Sequence, residues 1–349
     1  MPPIHLIDST LRDGEQTPGV CFSRKQKLEI ARELDQLGIS EIEAGTPVMG
    51  EMIQGDIREL LALNLRADIS VWCRARNEDL HAAGKCGVNK IHIALPASDR
   101  LLTSMGYDLN WLLKQATKIF RSAGNSFPYV SCGLMDASRC SPERLHTLTE
   151  LALEAGARRI RLADTVGIWN PMQVTEIFSN FRCKHPGLSL GFHGHNDLGM
   201  ATANAFSAIQ AGADSVDVTV NGLGDRAGNV ALAELVMALE LSANRATGMN
   251  TEYLVSLSRK VASASRKKTA PDKPVVGKSI FSHEAGIHVK ALLKDRLSFQ
   301  PYLPEQVGQK PEKIVVGSHT SPSMIRHLQL YPHDTPTFLN PLTRKGTYA

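Results

Sequence analysis

The chain has 349 residues, of which 42% are apolar and 21% are charged, and its formal net charge at pH 7 is +4. This composition is typical of a globular protein with one large domain plus an appendage, or with two ordinary domains. The mild charge points to no nucleic-acid partner. We also expect no membrane span, because no uncharged apolar stretch is long enough to cross a bilayer.

The six cysteines show no Cys-x-x-Cys spacing, and several lie in apolar runs that are typical of strands. We therefore expect reduced, mostly buried thiols in a reducing compartment. A predicted strand begins at Ile4, which leaves no room for a signal peptide before it. Together these features predict a cytoplasmic protein.

The first strand is predicted at 4–8, and a charged loop over 9–19 follows it. Ser23 begins a helix with a capping box completed by Gln26, and Gly38 ends that helix. The alternation of strand and helix continues to about residue 243. The other strands are predicted at 41–44, 69–73, 90–95, 129–134, 159–163, 188–192 and 215–220. The helices after them are predicted near 51–63, 78–86, 109–122 and 142–156, from 170, from 199, and over 229–243.

Eight strand–helix units over roughly 240 residues are the pattern of a (β/α)₈ barrel, the TIM barrel of the α/β class. A doubly wound open sheet is the alternative, but the glycine-rich turn that usually follows its first strand is absent. We predict a catalytic barrel over 1–245 and a small, mainly helical C-terminal lid and dimerisation subdomain over 246–334. A loose tail is predicted over 335–349.

The most informative stretch is the sequence FHGHNDLG at 192–199, which joins the seventh strand to a helix. His193 and His195 project to the same side of the strand because they are two residues apart, while Gly194 faces away. Two imidazoles at the carboxyl end of a strand form half of a divalent-metal site. A hydrogen-bonded pair of histidines without metal is the alternative.

A third metal ligand is predicted in the loop after the first strand. Barrel active sites are built from the loops that follow the strands, so Asp13 shares one face with His193 and His195. Together they form a facial set for one divalent ion, with positions open for a chelating substrate. Zinc, manganese, magnesium and ferrous iron all suit this set. Asn229, after the eighth strand, is either a weak further ligand or a helix cap.

Other polar residues of this face are candidates for catalysis and substrate binding. Arg12 would stabilise an oxyanion growing on a bound carbonyl group, unless it forms a surface salt bridge. Glu15 and Gln16 lie in the same loop and would bind substrate or order neighbouring groups. Glu43 and Thr165 end the second and sixth strands. They point into the site, or they cap a helix or are hydrogen-bonded at the strand end.

Four ordered motifs resemble those of the 2-isopropylmalate and homocitrate synthases, which are metal-dependent Claisen-condensing TIM barrels. The motifs are LRDGEQ at 11–16, the histidine motif at 193–201, NGLGDRAGN at 221–229 and EAGIH at 284–288. The segments 42–47, 72–75 and 136–139 are most similar to the homocitrate synthases of nitrogen fixation. The resemblance covers about residues 4 to 330.

The resemblance implies condensation of acetyl-CoA with 2-oxoglutarate to give homocitrate and CoA. It also implies that this homocitrate supplies the nitrogenase cofactor. It implies that the three ligands named above hold the metal, with Asn229 close by. Arg12 then polarises the keto oxygen, and Gln16, Glu43 and Thr165 line the oxo-acid pocket.

The resemblance also implies a homodimer with exchanged lids, in which His288 of one chain reaches the site of the other. From the residues alone, a helix-facing core histidine is the simpler interpretation of His288. The segment 271–299 is too small to bury its own apolar face, which is consistent with packing across a dimer.

Two positions depart from the pattern of similar enzymes. Met135 stands where they carry a glutamate, and Phe299 stands where they carry a tyrosine, both parts of their acid–base machinery. Glu15, His288 or Tyr302 would have to compensate. Two alternatives therefore stay open. One is a related synthase for 2-oxoisovalerate, pyruvate or oxaloacetate, and the other is a metal-binding homologue with weakened turnover.

Overall fold

A closed barrel of eight parallel strands organises the chain, and β8 returns to pair with β1. The computed structural model describes residues 4–315. The predicted (β/α)₈ barrel is confirmed, with each strand within a few residues of its predicted bounds. The strands are β1 His5–Asp8, β2 Glu41–Glu43, β3 Asp68–Arg74, β4 Lys90–Pro96, β5 Tyr129–Met135, β6 Arg159–Asp164, β7 Ser189–Gly194 and β8 Ser215–Val218.

Helices follow every strand, and their ends match the local sequence signals. Ser23 and Gln26 form the predicted capping box, and Gly38 ends the first helix with a left-handed φ of 100°. The helices are α1 Arg24–Leu37, α2 Glu51–Ala62, α3 Asn77–Gly84, α4 Asp99–Ser104, α5 Leu109–Ser126, α6 Pro142–Glu154, α7 Pro171–Lys184, α8 Ala201–Gln210 and α9 Leu232–Ser242. The short α4 was not predicted, because it buries only Leu102 and so carries no apolar stripe.

The barrel interior is charged at its amino end. His5, Glu41 and Arg159 are the first residues of β1, β2 and β6, and we call them the amino-end cluster. Nη2 of Arg159 donates to both carboxylate oxygens of Glu41, at 3.0 and 2.9 Å, and Nε2 of His5 lies 2.9 Å from Oε2. Burial alone would raise the pKa of Glu41, but His5 and Arg159 hold it well below its ordinary value.

The chain divides into two compact units. The barrel unit comprises the residues up to 250 and 260–267, and the second unit comprises 251–259 and the residues from 268 onward. The second unit contains the start of α10 Leu254–Ser265, helix α11 Gly286–Leu292, and the parallel strands β9 Ser282–His283 and β10 Lys313–Ile314. The predicted tail at 335–349 and the end of the predicted lid lie outside the described residues. Within 4–315, no helix is long and apolar enough to cross a membrane.

Candidate active site at the carboxyl end of the barrel

The three predicted ligands converge at the carboxyl end of the barrel. The ligand atoms of Asp13, His193 and His195 all lie within 4.8 Å of one another, and all three residues are buried. Nε2 of His193 is 3.3 Å from Nε2 of His195 and 3.4 Å from Oδ2 of Asp13. Gly194 between the histidines cannot be replaced freely, because a Cβ there would lie 2.5 Å from the ring of Phe192.

These side chains fit a divalent ion. Two atoms bound to one ion at about 2.1 Å are about 3.0 Å apart at a right angle and about 3.4 Å at a tetrahedral angle, and the observed spacings match. Neither carboxylate oxygen of Asp13 takes part in a hydrogen bond of good geometry, although both are buried. Burial and the neighbouring His193 lower the pKa of His195 to about 4, which keeps its imidazole neutral and able to bind a metal at pH 7.

Asn229 lies beside these ligands and does not cap a helix. The N-cap of α9 is Ala231, so the alternative interpretation of Asn229 as a cap is wrong. A β-bridge joins Asn229 to His195, and its Nδ2 donates to the carbonyl of Leu223 at 3.0 Å. Its Oδ1 is buried without a partner. An unpaired amide oxygen at this place suits a fourth ligand or a bound polar group.

Arg12 is a fixed cation next to the ligands. Its side chain is only 9% exposed, so it does not form a surface salt bridge. Nη1 lies 3.2 Å from Oδ2 of Asp13, and Nε donates to Oε2 of Glu43. Burial opposes the charge of Arg12, but Glu43 and Asp13 raise its pKa above the ordinary value. The guanidinium therefore stays positive where a carbonyl oxygen would gain charge.

Two further buried residues complete the surroundings, and sequence reasoning missed both. Oδ2 of Asp217 lies 2.8 Å from Nδ1 of His193. Nη1 of Arg161 lies 2.7 Å from the same oxygen and 3.1 Å from Oε1 of Glu43. The available signal was a charged residue inside a buried strand, Asp217 in β8 (SVDV) and Arg161 in β6 (RIRLAD).

The remaining candidates of the first loop and of β6 have other partners. Glu15 accepts hydrogen bonds from the backbone N–H of Phe22 at 2.8 Å and from Nζ of Lys27 at 2.9 Å. Gln16 is exposed at the end of a short 3₁₀ helix. The backbone N–H of Gln16 donates to the carbonyl of Asp13 at 2.9 Å. Oγ1 of Thr165 accepts from the backbone N–H of Asp136 at 2.8 Å.

The two departures have distinct surroundings. Met135 is the last residue of β5 and is partly exposed. Within the second unit, Phe299 is 46% exposed and stacks on His288 with ring centroids 4.1 Å apart. Tyr302 is buried and packs edge-on against Phe281. His288 is therefore not a core histidine, since its ring lies beside an exposed phenylalanine.

Two family models match the chain. A model described as HMGL-like matches residues 3–261, and one described as homocitrate synthase post-HMGL domain-like matches residues 275–330. The first covers most of the chain and the whole barrel. The second begins shortly after the barrel ends. The resemblance to the 2-isopropylmalate and homocitrate synthases is thereby confirmed.

Curated proteins similar to this chain include both homocitrate synthases and 2-isopropylmalate synthases. A homocitrate synthase of Frankia alni is 38% identical over 93% of this chain and 92% of its own length. A 2-isopropylmalate synthase 2 of Caldanaerobacter subterraneus subsp. tengcongensis is 39% identical over 91% of this chain and 83% of its own. Among solved structures, the HMG-CoA lyase of Bacillus subtilis shares the fold, with a TM-score of 0.69 at 22% identity over 76% of this chain and 96% of that one.

Proposed function

We propose that this chain, which belongs to the HMGL-like family and carries a homocitrate synthase post-HMGL domain, condenses acetyl-CoA with 2-oxoglutarate to give homocitrate. The chain is an enzyme, and its homocitrate synthase relatives are acyltransferases that form a carbon–carbon bond. The observation that carries the proposal is the buried Arg12 held against Asp13 beside His193 and His195. This arrangement joins an ion site to a fixed cation.

The proposed residue roles follow from these contacts. Asp13, His193 and His195 hold the divalent ion, with Asn229 as a further oxygen beside them. A divalent ion there supplies Lewis acidity toward a carboxylate and a carbonyl group. Arg12 faces the oxygen that becomes an alkoxide, and a preorganised donor of this kind is typically worth about 3–4 kcal/mol.

The condensation requires two proton transfers, one from the acetyl methyl group and one to the former keto oxygen. A base takes a proton from the acetyl methyl group, and the resulting carbanion attacks the keto carbon. The alkoxide then gains a proton, and water cleaves the thioester to release CoA. Arg12 stabilises the alkoxide. Because Met135 cannot exchange a proton, we assign the proton transfers to His288 and Glu15, with a slow rate as the consequence.

The proposed oxo acid is the dicarboxylic 2-oxoglutarate. Arg12 and Arg161 are already paired with Asp13, Glu43 and Asp217, so of these two only Arg12, which contacts Asp13 directly, lies next to the ligands. The preference for 2-oxoglutarate therefore rests on the resemblance of segments 42–47, 72–75 and 136–139 to homocitrate synthases. Gln16, Glu43 and Thr165 are the proposed lining of the pocket.

A free-thiol assay with a panel of 2-oxo acids tests the proposal. The purified chain is loaded in turn with zinc, manganese, magnesium or ferrous ion and given acetyl-CoA, and the product is identified by mass spectrometry. We expect the highest kcat/KM with 2-oxoglutarate. A higher value with 2-oxoisovalerate, pyruvate or oxaloacetate would replace the proposal by the related synthase.

The second candidate is a metal-binding homologue with weakened turnover, and Met135 and Phe299 are the observations that favour it. It predicts that 2-oxoglutarate binds but releases no thiol in the assay above. Isothermal titration of the metal-loaded chain with 2-oxoglutarate separates the two candidates, because a synthase must show both binding and thiol release.

The proposed assembly is a homodimer in which His288 acts in the neighbouring barrel. Its support is the resemblance of the EAGIH motif at 284–288. Mixing His288→Ala chains with Arg12→Ala chains should restore part of the activity, because one of the two sites in a heterodimer is then intact. No recovery in verified heterodimers would show that the lid acts on its own barrel.

We also propose that the product serves the nitrogenase cofactor in the cytoplasm. The similarity of segments 42–47, 72–75 and 136–139 to the homocitrate synthases of nitrogen fixation supports this role. Expression of the chain in a diazotroph that lacks its homocitrate synthase should restore growth on dinitrogen, and the Arg12→Ala chain should not. Failure of the wild-type chain, with thiol release intact in vitro, would remove this role.

A further inference from the structure

We propose that Asp217 is a positioning residue for the metal ligand His193 and that Arg161 holds Asp217 in place. The inference rests on the metal site proposed above but not on the identity of the oxo acid. Asp217 lies on β8, and His193 lies on the neighbouring β7. Neither Asp217 nor Arg161 is among the metal ligands, catalytic residues or pocket-lining residues proposed above.

The contact between Asp217 and His193 selects one tautomer of the imidazole. A carboxylate oxygen only accepts hydrogen bonds, so Nδ1 of His193 must carry the proton that bridges the 2.8 Å to Oδ2 of Asp217. Nε2 then keeps its lone pair, and it is this atom that faces His195 and Asp13. Without Asp217 the proton is free to move to Nε2, where it would block metal binding.

Arg161 holds the carboxylate of Asp217 in place. It is among the largest fully buried side chains, and its Nη1 contacts Asp217 on one side and Glu43 on the other. Glu43 in turn holds Arg12, and Arg12 contacts Asp13. Asp217, Arg161, Glu43, Arg12 and Asp13 thus form a chain of ion pairs that alternate in charge. One end of this chain holds His193 through Asp217 and the other end is Asp13, so it positions two of the three ligands.

The usual behaviour of imidazole ligands supports a positioning role for this chain of ion pairs. Imidazole ligands usually donate their second N–H to a carboxylate or carbonyl group, and loss of that partner typically weakens metal affinity about 10–100-fold. A merely structural ion pair would affect the free energy of unfolding and leave metal affinity unchanged. Metal affinity is therefore the measurement that separates the two roles.

The test measures zinc affinity by competition with a chromophoric chelator for the wild type, Asp217→Ala and Asp217→Asn. We expect Asp217→Ala to bind zinc about 10–100-fold more weakly. Asp217→Asn should fall between the two, because its amide oxygen still accepts from Nδ1 of His193 but carries no charge. The visible absorption bands of the cobalt-loaded Asp217→Ala protein should shift, which reports an altered ligand geometry.

Asp214→Ala is the matched control. Asp214 also pairs with an arginine, Arg182, at 2.7 Å, and its carboxylate otherwise accepts from the backbone N–H of Leu190 instead of from a histidine. This variant should bind zinc within twofold of the wild type, as judged with the same chelator. Unfolding of each metal-free protein shows whether it is folded before zinc is added, and the isosteric Asp217→Asn serves if Asp217→Ala does not fold.

The outcomes distinguish this inference from the site on which it rests. A wild-type protein that binds no zinc and no cobalt would overturn the metal site itself. A wild type that binds zinc, with folded Asp217→Ala or Asp217→Asn proteins of equal affinity and an unchanged cobalt spectrum, would overturn the inference alone. Equally weaker binding in the Asp214→Ala control would also overturn it, since loss of a carboxylate that does not pair with His193 would then have the same effect.

Discussion

Two clusters of buried charge occupy the same barrel and differ in how completely they are paired. Every buried polar side-chain atom of the amino-end cluster, His5, Glu41 and Arg159, has a hydrogen-bond partner. We call the group at the other end the carboxyl-end cluster. Its members are Arg12, Asp13, Glu43, Arg161, His193, His195, Asp217 and Asn229.

The carboxyl-end cluster keeps unpaired atoms that the amino-end cluster does not. Both oxygens of Asp13, Nδ1 of His195 and Oδ1 of Asn229 are buried without a hydrogen bond. Buried polar groups are normally paired, so a collection of unpaired ones marks the place where a ligand completes the bonding. The comparison teaches that a charged barrel interior is not in itself a site. The amino end holds the fold together, and the carboxyl end is left open to bind.

The largest expected effect comes from removing an imidazole at the carboxyl end. In His193→Ala and His195→Ala, we expect loss of the metal and a fall in turnover of about 10³-fold or more. Metal content after dialysis and thiol release measure the two effects. His195→Ala should destabilise the metal-free protein less than His193→Ala, because Nδ1 of His195 has no partner whereas Nδ1 of His193 pairs with Asp217. Retention of metal at wild-type stoichiometry in both variants would contradict the ligand assignment.

Restoring the two proton-transfer groups that similar enzymes carry should have the next largest effect. The double variant Met135→Glu/Phe299→Tyr should raise kcat by up to about 10²-fold, since a positioned acid–base group contributes that much or more. The KM for 2-oxoglutarate should change little. Met172→Glu is the control, because Met172 is 82% exposed on α7 and its replacement adds the same negative charge at another place. An unchanged rate, already typical of the family, would show that these positions do not transfer protons here.

Removing a charge at the amino end should act on stability instead of catalysis. Arg159→Met leaves Glu41 buried without its guanidinium partner, and breaking a buried pair in this way costs about 3–5 kcal/mol of unfolding free energy. Urea unfolding measures this loss, and kcat of the folded fraction should stay within twofold. Arg158→Met, at the exposed neighbouring position, should leave both unchanged. A tenfold fall in kcat without loss of stability would erase the distinction between the two clusters.

The smallest expected effect is a pH dependence of the amino-end cluster. The folded-state pKa of Glu41 lies below its ordinary value of about 4.3. Its contribution to stability is therefore complete above that pH and is lost as the pH falls below it. The difference in unfolding free energy between wild type and Glu41→Gln should shrink by about 1 kcal/mol from pH 5 to pH 3.5. A constant difference across this range, in parallel urea titrations, would show that the charge of Glu41 does not stabilise the fold.

The sequence by itself determined the barrel and the convergence of Asp13, His193 and His195. Strand and helix periods are local, and caps such as Ser23 with Gln26 need only four consecutive residues. The two-residue spacing of His193 and His195 makes them share a face whatever surrounds them. Asp13 joins them because every loop after a strand opens on the same end of a barrel.

Only the tertiary structure decided which charged side chains touch. Asp217 meets His193 because of the register between the neighbouring strands β8 and β7, and Arg161 meets Glu43 because closing the barrel brings together β6 and β2, which are distant in sequence. The same closure turned Glu15 toward Lys27 and left Asn229 beside His195 instead of on a helix. A strand's sequence shows that a residue faces inward, but the partner it meets depends on the register and tilt of the other strands. Local residues do not encode that register, and packing of the whole barrel decides it.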